Sequence, residues 1–329
     1  MAEWIILRKT DPKLDFDVAT LTGQVALVTG ATGFIGSHLC ERLLANGNEV
    51  HAVSRRNQSG ARKGVRWWQA DLAEMADVRK LLNGSKPDLI FHLASQVSGS
   101  RDLSMVESTF HNNLMTTVNL LTVATELACR RIVLTGSLEE PDAGDPDNTP
   151  SSPYSITKWA SSAYGRMFYA LYQLPVVILR LFMVYGPAQS DLRKIVPYVI
   201  LSALRGEAPK LTSGVRPIDW IYIDDVVEGL CLAADAKDIE GSTLDIGSGN
   251  LVPIRTVVEK LIHTTRSKVV PLFGALVDRP LEQVRIADTA YSYAKIGWRS
   301  QTSIDAGLEL TVNWYTKEFK AGSFRSESN

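Results

Sequence analysis

The stretch T-G-A-T-G-F-I-G, residues 29–36, follows a short apolar run at residues 24–29 and opens a segment with helical periodicity at residues 34–46. Glycines at such a junction allow a tight turn, close approach of the backbone to a pyrophosphate, and close packing of helix on strand. The unpaired N–H groups of the helix N-terminus favour an anion. The stretch therefore predicts a dinucleotide cradle, consisting of Gly30, Thr32, Gly33, Phe34, Ile35 and Gly36.

Apolar, β-branched runs recur after the cradle and alternate with helical patterns. The runs lie at residues 49–54, 88–93, 131–135 and 175–181, and the longest helical patterns at residues 109–128 and 153–171. Continuous apolar strands are typical of a parallel sheet covered by helices on both faces. We predict an α/β fold with a doubly wound parallel sheet of the Rossmann type over residues 21–185, with segments that return to it later.

The pattern of predicted elements changes after about residue 185, where helices and strands become shorter and alternate less regularly. Residues 195–204 and 225–234 have helical patterns, and residues 220–223 form a short apolar run. We predict a smaller mixed α/β lobe over residues 186–319 that binds the substrate. Residues 1–20 are predicted to be an N-terminal arm and residues 320–329 a flexible tail.

The composition excludes several classes of function. Lys and Arg total 35 against 36 Asp and Glu, so no charge excess favours nucleic acid or an anionic membrane as a partner. No segment approaches the ~20 apolar residues of a membrane span. Three separated cysteines without a C-x-x-C motif and five scattered histidines indicate no metal site. We expect a cytoplasmic protein with reduced thiols.

The residues at the end of the second predicted strand indicate which nicotinamide cofactor the protein binds. An acidic residue there would bind the ribose hydroxyls of NAD. This strand instead ends at Ser54, followed by Arg55 and Arg56. A guanidinium can pair with the 2′-phosphate of NADP through charge-assisted hydrogen bonds. The sequence favours NADP(H), with NAD(H) as the second option, unless the two arginines are only solvated loop charges.

A Y-x-x-x-K pair, Tyr154 and Lys158, lies in a predicted helix that follows the apolar run at residues 131–135. Residues four apart share one face of a helix, which brings the ammonium near the phenol. A nearby cation favours phenolate, so we expect the pKa of Tyr154 to lie below its ordinary value of about 10. Such pairs are common by chance, and the pair alone would be interpreted as structural. Its position after the glycine cradle and after a strand ending at Ser137 predicts a site for proton exchange beside a nicotinamide, whose chemistry is hydride transfer.

The glycine spacing and the sequence F-I-G-S-H-L at residues 34–39 resemble the motifs of the extended branch of the short-chain dehydrogenase/reductase superfamily, the NAD-dependent epimerase/dehydratase type. The resemblance covers about residues 21–317. It implies that Ser137 is the third catalytic residue and orients the substrate oxygen. An Asp-Leu pair at residues 71–72, an H-x-A-S stretch at residues 92–95 and an N-x-x-x-T helix resemble the family's cofactor-binding segments, which adds Asp71, Leu72, Leu93, Ala94, Ser95 and Asn113 to the cofactor site. Asp71 is equally well explained as a helix N-cap.

The run G-S-L-E-E at residues 136–140 resembles nucleotide-sugar 4-ketoreductases. Sugar-nucleotide 4,6-dehydratases carry Thr-x-Glu with an Asp or Ser between, and their Glu removes a carbon-bound proton. Here Glu139 occupies the Glu position, but the residue before it is Leu138. Glu139 is therefore a candidate catalytic residue, with an ordinary loop charge as the alternative.

The later motifs imply a nucleotide-diphosphate sugar as substrate. Met183 stands where the family's R-x-x-N-V-Y-G-P motif has an Asn that contacts the sugar nucleotide. Arg216 and Arg279 resemble the arginines that meet the diphosphate, and guanidinium forks match phosphate oxygens. Either arginine could instead be a surface charge. The family resemblance also implies a homodimer formed by the helices at residues 109–128 and 153–171.

The function predicted first is an NADPH-dependent 4-ketoreductase acting on a nucleotide-linked 4-keto-6-deoxyhexose. A 4-epimerase with a retained cofactor is the alternative, followed by a 4,6-dehydratase that uses Glu139. A non-catalytic NADP-binding sensor on the same fold is the remote alternative, because a fold does not fix a function.

Overall fold

A computed structural model describes residues 21–58, 62–141 and 149–324. The predicted arm at residues 1–20 and the last five residues of the predicted tail lie outside these ranges. The strands of the described residues are β1 (Val25–Thr29), β2 (Glu49–Ser54), β3 (Val65–Gln69), β4 (Leu89–His92), β5 (Arg131–Ser137), β6 (Val176–Leu181), β7 (Met183–Tyr185), β8 (Lys210–Leu211), β9 (Pro217–Tyr222), β10 (Thr243–Ile246), β11 (Leu251–Pro253) and β12 (Leu272–Phe273).

The α-helices of the same residues are α1 (Phe34–Ala45), α2 (Met75–Ser85), α3 (Ser104–Thr109), α4 (Thr116–Ala124), α5 (Pro153–Tyr172), α6 (Ile195–Arg205), α7 (Ile223–Asp235), α8 (Ile254–Thr264), α9 (Thr289–Ile296) and α10 (Ile304–Lys320). A π-helical segment, Phe110–Met115, joins α3 to α4. The helix predicted at residues 109–128 therefore starts earlier than expected and contains one wide turn. Apolar periodicity does not distinguish the two hydrogen-bond patterns.

Seven strands form one parallel sheet in the order β10-β6-β5-β4-β1-β2-β3. The order reverses between β1 and β4, which leaves a crevice at their carboxyl ends, where such sheets bind ligands. Leu27 and Val28 of β1 are both fully buried but belong to two different hydrophobic cores, one on each face of the sheet. The predicted doubly wound parallel sheet is confirmed.

The second half of the chain builds a smaller mixed lobe beside the sheet. β11, β9 and β7 form a three-stranded sheet in that order, and β12 pairs with β8. The chain returns to the large sheet through β10, which pairs with β6. Lys320 ends α10, and Phe324 stacks on Tyr315, so this part of the predicted tail is packed on the lobe.

Candidate active site

A cavity of about 2150 Å³ opens at the carboxyl ends of the parallel strands and continues under the smaller lobe. All but one of the predicted cofactor-binding residues line it, as do the predicted substrate residues Met183, Arg216 and Arg279. The cavity therefore brings together residues that are separated by up to 252 positions, from Gly30 to Glu282.

The glycine cradle has the tight geometry that the sequence predicted. Gly30 has a φ of +68°, and a Cβ on it would lie 2.8 Å from backbone atoms of Leu93 and Ala94. A Cβ on Gly36 would overlap the carbonyl oxygen of Gly30. Helix α1 begins at Phe34 with Gly33 as its N-cap and no side chain capping it, and residues 33–36 all line the cavity. The cradle fits a pyrophosphate.

The floor beneath the cradle is fixed by a buried hydrogen-bond network around His92. Thr29 Oγ1 lies 2.9 Å from His92 Nδ1 and accepts hydrogen bonds from the backbone N–H groups of Leu93 and Ala94. His92 Nε2 lies 3.1 Å from Thr117 Oγ1. Burial lowers the pKa of His92 to about 3, and nearby Lys158 contributes to this, so the ring is neutral. His92 packs under the cavity and is not part of its lining.

Strand β2 ends at the far end of the cavity, and its last residue does not carry a carboxylate. Ser54 ends the strand, and its Oγ accepts a hydrogen bond from the backbone N–H of Arg56. Arg55 Nη1 donates to Asn112 Oδ1 at 2.9 Å. Asp71 also lines this end, and its Oδ1 accepts from the backbone N–H of Ala73 in a tight turn before α2.

Asn113 is the predicted cofactor residue that does not line the cavity. It is 2 % exposed, its Oδ1 accepts from the backbone N–H of Gln96, and its Nδ2 donates to Thr157 Oγ1. Its place in the cavity is taken by Asn112, which sequence reasoning missed. Asn113 therefore holds the loop after β4 against α5 and does not reach into the cavity. Two adjacent asparagines carry no sequence signal for which one faces the cavity.

Ser137, Tyr154 and Lys158 meet at the end of β5. Ser137 is the last residue of β5, and Tyr154 and Lys158 lie on the first turns of α5. The α5 helix starts there because Ser152 Oγ caps the N–H of Ser155 and Pro153 occupies the first turn. The Ser137 side chain is hydrogen-bonded to Tyr154, and Lys158 Nζ donates to the carbonyl oxygen of Thr135. The structure brings the three predicted catalytic residues together.

The expectation of a lowered Tyr154 pKa is wrong in this structure. Burial raises the pKa of Tyr154 to about 12, and the charges of Glu139 and Glu140 add to the increase, while the hydrogen bond from Ser137 opposes it. Burial also lowers the pKa of Lys158 to about 8. Desolvation of the phenolate is the largest contribution to the raised pKa of Tyr154. Tyr154 is therefore a proton donor at neutral pH.

The two glutamates of the G-S-L-E-E run lie in different environments. Glu139 lines the cavity, and its Oε1 lies 2.9 Å from Arg216 Nη2. Glu140 is 1 % exposed and lies behind the cavity wall. Leu138 lines the cavity beside Glu139, so a hydrocarbon stands next to that carboxylate.

The substrate side of the cavity carries several cationic side chains, among them Arg101, Lys194, Arg216 and Arg279. Arg216 pairs with both Glu139 and Glu282, whereas Arg279 is more exposed and lies 3.9 Å from Glu282. Sequence reasoning missed Lys194, which lines the cavity and whose pKa is lowered by burial and by the neighbouring charge of Arg279. It also missed Arg101, whose Nε donates to the carbonyl oxygen of Ser151. A lone Lys or Arg in a loop has no pattern that marks it.

The described residues contain neither a cluster of metal ligands nor a helix that could span a membrane. No group of three or more His, Cys, Asp or Glu side chains in those ranges could hold a metal ion. No helix in the described part of the chain has both the length and the apolar character needed to cross a membrane.

Comparison with known proteins agrees with this geometry. Residues 26–247 match the model of the NAD dependent epimerase/dehydratase family. A probable dTDP-glucose 4,6-dehydratase of Sinorhizobium fredii is 29% identical, over 88% of this chain and 92% of that protein. A UDP-glucose 4-epimerase of Mycolicibacterium smegmatis is 28% identical, over 88% of this chain and 97% of that protein.

A solved structure, UDP-glucose 4-epimerase of Thermus thermophilus in complex with NAD, superimposes with a TM-score of 0.77. It is 26% identical, and the match covers 88% of this chain and 98% of that one. The chain belongs to the NAD dependent epimerase/dehydratase family and is an enzyme of the oxidoreductase type. The predicted family is confirmed.

Proposed function

We propose that the protein is an NADPH-dependent 4-ketoreductase of a nucleotide-diphosphate 4-keto-6-deoxyhexose. The observation that carries the proposal is the end of β2, where Ser54 and Arg55 stand and Arg55 is held at the cavity by Asn112. A carboxylate at this strand end would repel a 2′-phosphate, whereas a guanidinium attracts it. A net reductase consumes reduced cofactor at each turnover, and NADPH is the usual biosynthetic reductant.

The residues at the end of β5 support the reductive direction. A reduced nicotinamide in the cavity would supply the hydride. Tyr154, protonated at neutral pH, would donate a proton to the carbonyl oxygen of the sugar, and the Ser137 hydroxyl would orient that oxygen. Lys158, the next cation along α5, would bind the nicotinamide ribose. The glycine cradle around Gly30 would hold the pyrophosphate.

Leu138 argues against a 4,6-dehydratase. Elimination of water across a sugar needs a base for the carbon-bound proton and an acid for the departing hydroxyl. Glu139 could serve as the base, but it is paired with Arg216, and the hydrocarbon side chain of Leu138 cannot supply a proton. Ser137, Tyr154 and Lys158 without a second acid are sufficient for a ketoreductase.

A nucleotide-sugar 4-epimerase is the second candidate, because relatives named 4-epimerase match nearly the whole chain. The structure of the Thermus thermophilus relative contains NAD, the cofactor that an epimerase would retain. An epimerase would use the same three residues at the end of β5 but would not consume reduced cofactor. Net consumption of NADPH therefore separates the two candidates.

The cations of the smaller lobe support a diphosphate-linked substrate. Arg279 and Lys194 line the cavity near each other, and Arg216 lies beside Glu282. We assign the diphosphate to Arg216 and Arg279, the sugar to the surroundings of Ser137, and a role in shaping the sugar pocket to Met183. The three cysteines, all buried and free, suit the reducing cytoplasm that we propose as its location.

The experiment that tests the proposal mixes the purified protein with a nucleotide-linked 4-keto-6-deoxyhexose and NADPH and follows the absorbance of the reduced nicotinamide. Stoichiometric consumption of NADPH and keto sugar is expected. No consumption, together with interconversion of UDP-glucose and UDP-galactose on tightly bound NAD, would replace the reductase with the epimerase.

A further inference from the structure

Glu140 is a buried carboxylate that the proposed chemistry does not use. It is 1 % exposed and does not line the cavity, so it cannot touch a substrate or cofactor there. Carboxylates are almost never fully buried without partners, because desolvation of the charge is costly. Its partners therefore indicate its role.

The Oε1 atom of Glu140 connects the two elements that carry the catalytic residues. It accepts a hydrogen bond from the backbone N–H of Ser137 at 2.8 Å, at the end of β5. It also accepts one from the hydroxyl of Ser162 at 3.0 Å. Ser162 lies on α5 four residues after Lys158 and eight after Tyr154, so these residues share one face of the helix.

The surroundings of Glu140 are built to accept the carboxylate. A Cβ at position 136 would overlap Glu140 Oε1, so Gly136 is needed for the side chain to fold beneath the strand. Arg180 Nε lies 3.8 Å from Glu140 Oε2, and Arg180 Nη1 is held by Asp245 at 2.9 Å. The carboxylate thus has two hydrogen-bond donors and one fixed cation beside it.

We propose that Glu140 is a positioning residue that fixes the Ser137 hydroxyl relative to Tyr154 and Lys158 by tying the end of β5 to α5. The inference rests on the proposed use of these three residues in hydride transfer, and it holds equally for a reductase or an epimerase. A displacement of about 1 Å in such a group can cost about 100-fold in rate. Most of the proposed contacts to substrate and cofactor come from the glycine cradle, Arg55, Arg216 and Arg279, whereas the partners of Glu140 are Ser137, Ser162 and Arg180, so we expect the loss to fall on kcat.

The test compares Glu140→Ala, Glu140→Gln and Ser162→Ala with the wild type. For Glu140→Ala we expect kcat, normalised to cofactor-binding sites, to fall about 100-fold with KM unchanged. Glu140→Gln keeps the acceptor oxygen for Ser137 and Ser162 and should restore most of kcat. Ser162→Ala removes one of the two hydrogen bonds and should give an intermediate kcat.

Glu140→Gln also removes a negative charge near the catalytic residues. Its effect on the pKa values of these residues is a readout that a role in fold stability alone would not change. Glu140 raises the pKa of both Tyr154 and Lys158, so its neutralisation lowers both values. In the reductive direction Tyr154 must carry a proton, and the alkaline limit of kcat should therefore move to lower pH. The other charged or titratable groups facing this region are Arg180, Asp245, Glu139 and His92, which the variant leaves in place.

Glu240→Gln is the matched control. Glu240 pairs with Arg131 at 2.8 Å, at the opposite end of the same strand β5. This variant should lower the melting temperature without changing kcat or its pH dependence. Wild-type kcat in Glu140→Ala or a normal pH limit in Glu140→Gln would overturn the inference and leave the proposed function intact.

The wild type is assayed as a reductase and, by conversion of UDP-glucose, as an epimerase. Activity only as an epimerase would remove the proposed function, and the comparison of variants would then proceed in that assay. A wild type without either activity would overturn both proposals together. If Glu140→Ala does not fold, Glu140→Gln and Ser162→Ala still decide between the outcomes.

Discussion

The ammonium nitrogen of Lys158 lies 2.7 Å from the backbone carbonyl oxygen of Thr135 and donates a hydrogen bond to it. The contact joins α5 to β5 two residues before Ser137. Both residues are buried and line the cavity, so the lysine is held in one place in the cavity wall. The hydrogen bond to β5 therefore fixes the position of the Lys158 ammonium group, in addition to the helical spacing from Tyr154.

Tyr154→Phe should reduce hydride transfer about 10²- to 10⁴-fold, because the variant lacks the proton that the phenol donates to the carbonyl oxygen. The ring remains, so the dissociation constant of the cofactor should stay the same. Stopped-flow absorbance of the nicotinamide gives the first quantity, and quenching of protein fluorescence gives the second. Full activity in Tyr154→Phe would assign the proton transfer to another group.

Arg55→Ala should weaken NADPH binding about tenfold and leave NADH binding unchanged. The loss corresponds to the lower end of the charge-assisted range, about 1.5 kcal/mol, because the Arg55 hydrogen bond is exposed to solvent. Isothermal titration with each cofactor measures the effect. Arg79→Ala is the matched control, since Arg79 lies on α2 and pairs with Glu126 away from the cavity. Equal losses for both cofactors would show that Arg55 does not read the 2′-phosphate.

His92 should make the fold sensitive to mild acid. Its pKa is about 3 in the folded protein and about 6.5 in an unfolded chain, so the unfolded state binds the proton first. Stability is then unaffected by this group above pH 6.5 and falls as the pH decreases from 6.5 towards 3. Between pH 6.5 and pH 5 the loss is about 2 kcal/mol.

Urea unfolding at pH 7 and pH 5 measures this contribution in the wild type and in His92→Asn. The variant will be less stable overall, but the difference between its two pH values should be smaller by about 2 kcal/mol. His111→Asn is the control, because His111 is exposed and should leave the wild-type pH dependence unchanged. An equal pH dependence in His92→Asn would exclude His92 as the source.

Trp159→Glu should convert a dimer into monomers. We propose a homodimer formed by the helices around residues 104–124 and by α5, where Phe110, Ile156 and Trp159 are each at least 40% exposed. A charge placed in the centre of such an apolar surface would have to be desolvated on association. Sedimentation velocity of the wild type and the variant measures the change. A wild-type monomer would contradict the proposed interface.

The sequence was a good guide where a local pattern has one structural meaning. The apolar runs around β1, β2, β5 and β6 predicted buried parallel strands, and the structure confirms them. The glycines at residues 30, 33 and 36 predicted a cradle at a strand–helix junction, and the close contacts of Gly33 and Gly36 with the backbone of Gly30 are local. Patterns that several structures satisfy were less informative, as for the π-helical turn at Phe110–Met115.

The sequence by itself determined the fold class and the helical pair of Tyr154 and Lys158, because strand periodicity, glycine spacing and helical i, i+4 spacing are local properties. The family and the role of Ser137 came from the resemblance of the motifs, and the fold brought Ser137 to the pair. Only the tertiary structure decided which asparagine faces the cavity, and it separated Glu139 in the cavity from Glu140 behind its wall. It also reversed the expected pKa shift of Tyr154. These properties depend on burial and on charges contributed by distant segments, which no pattern of neighbouring residues encodes.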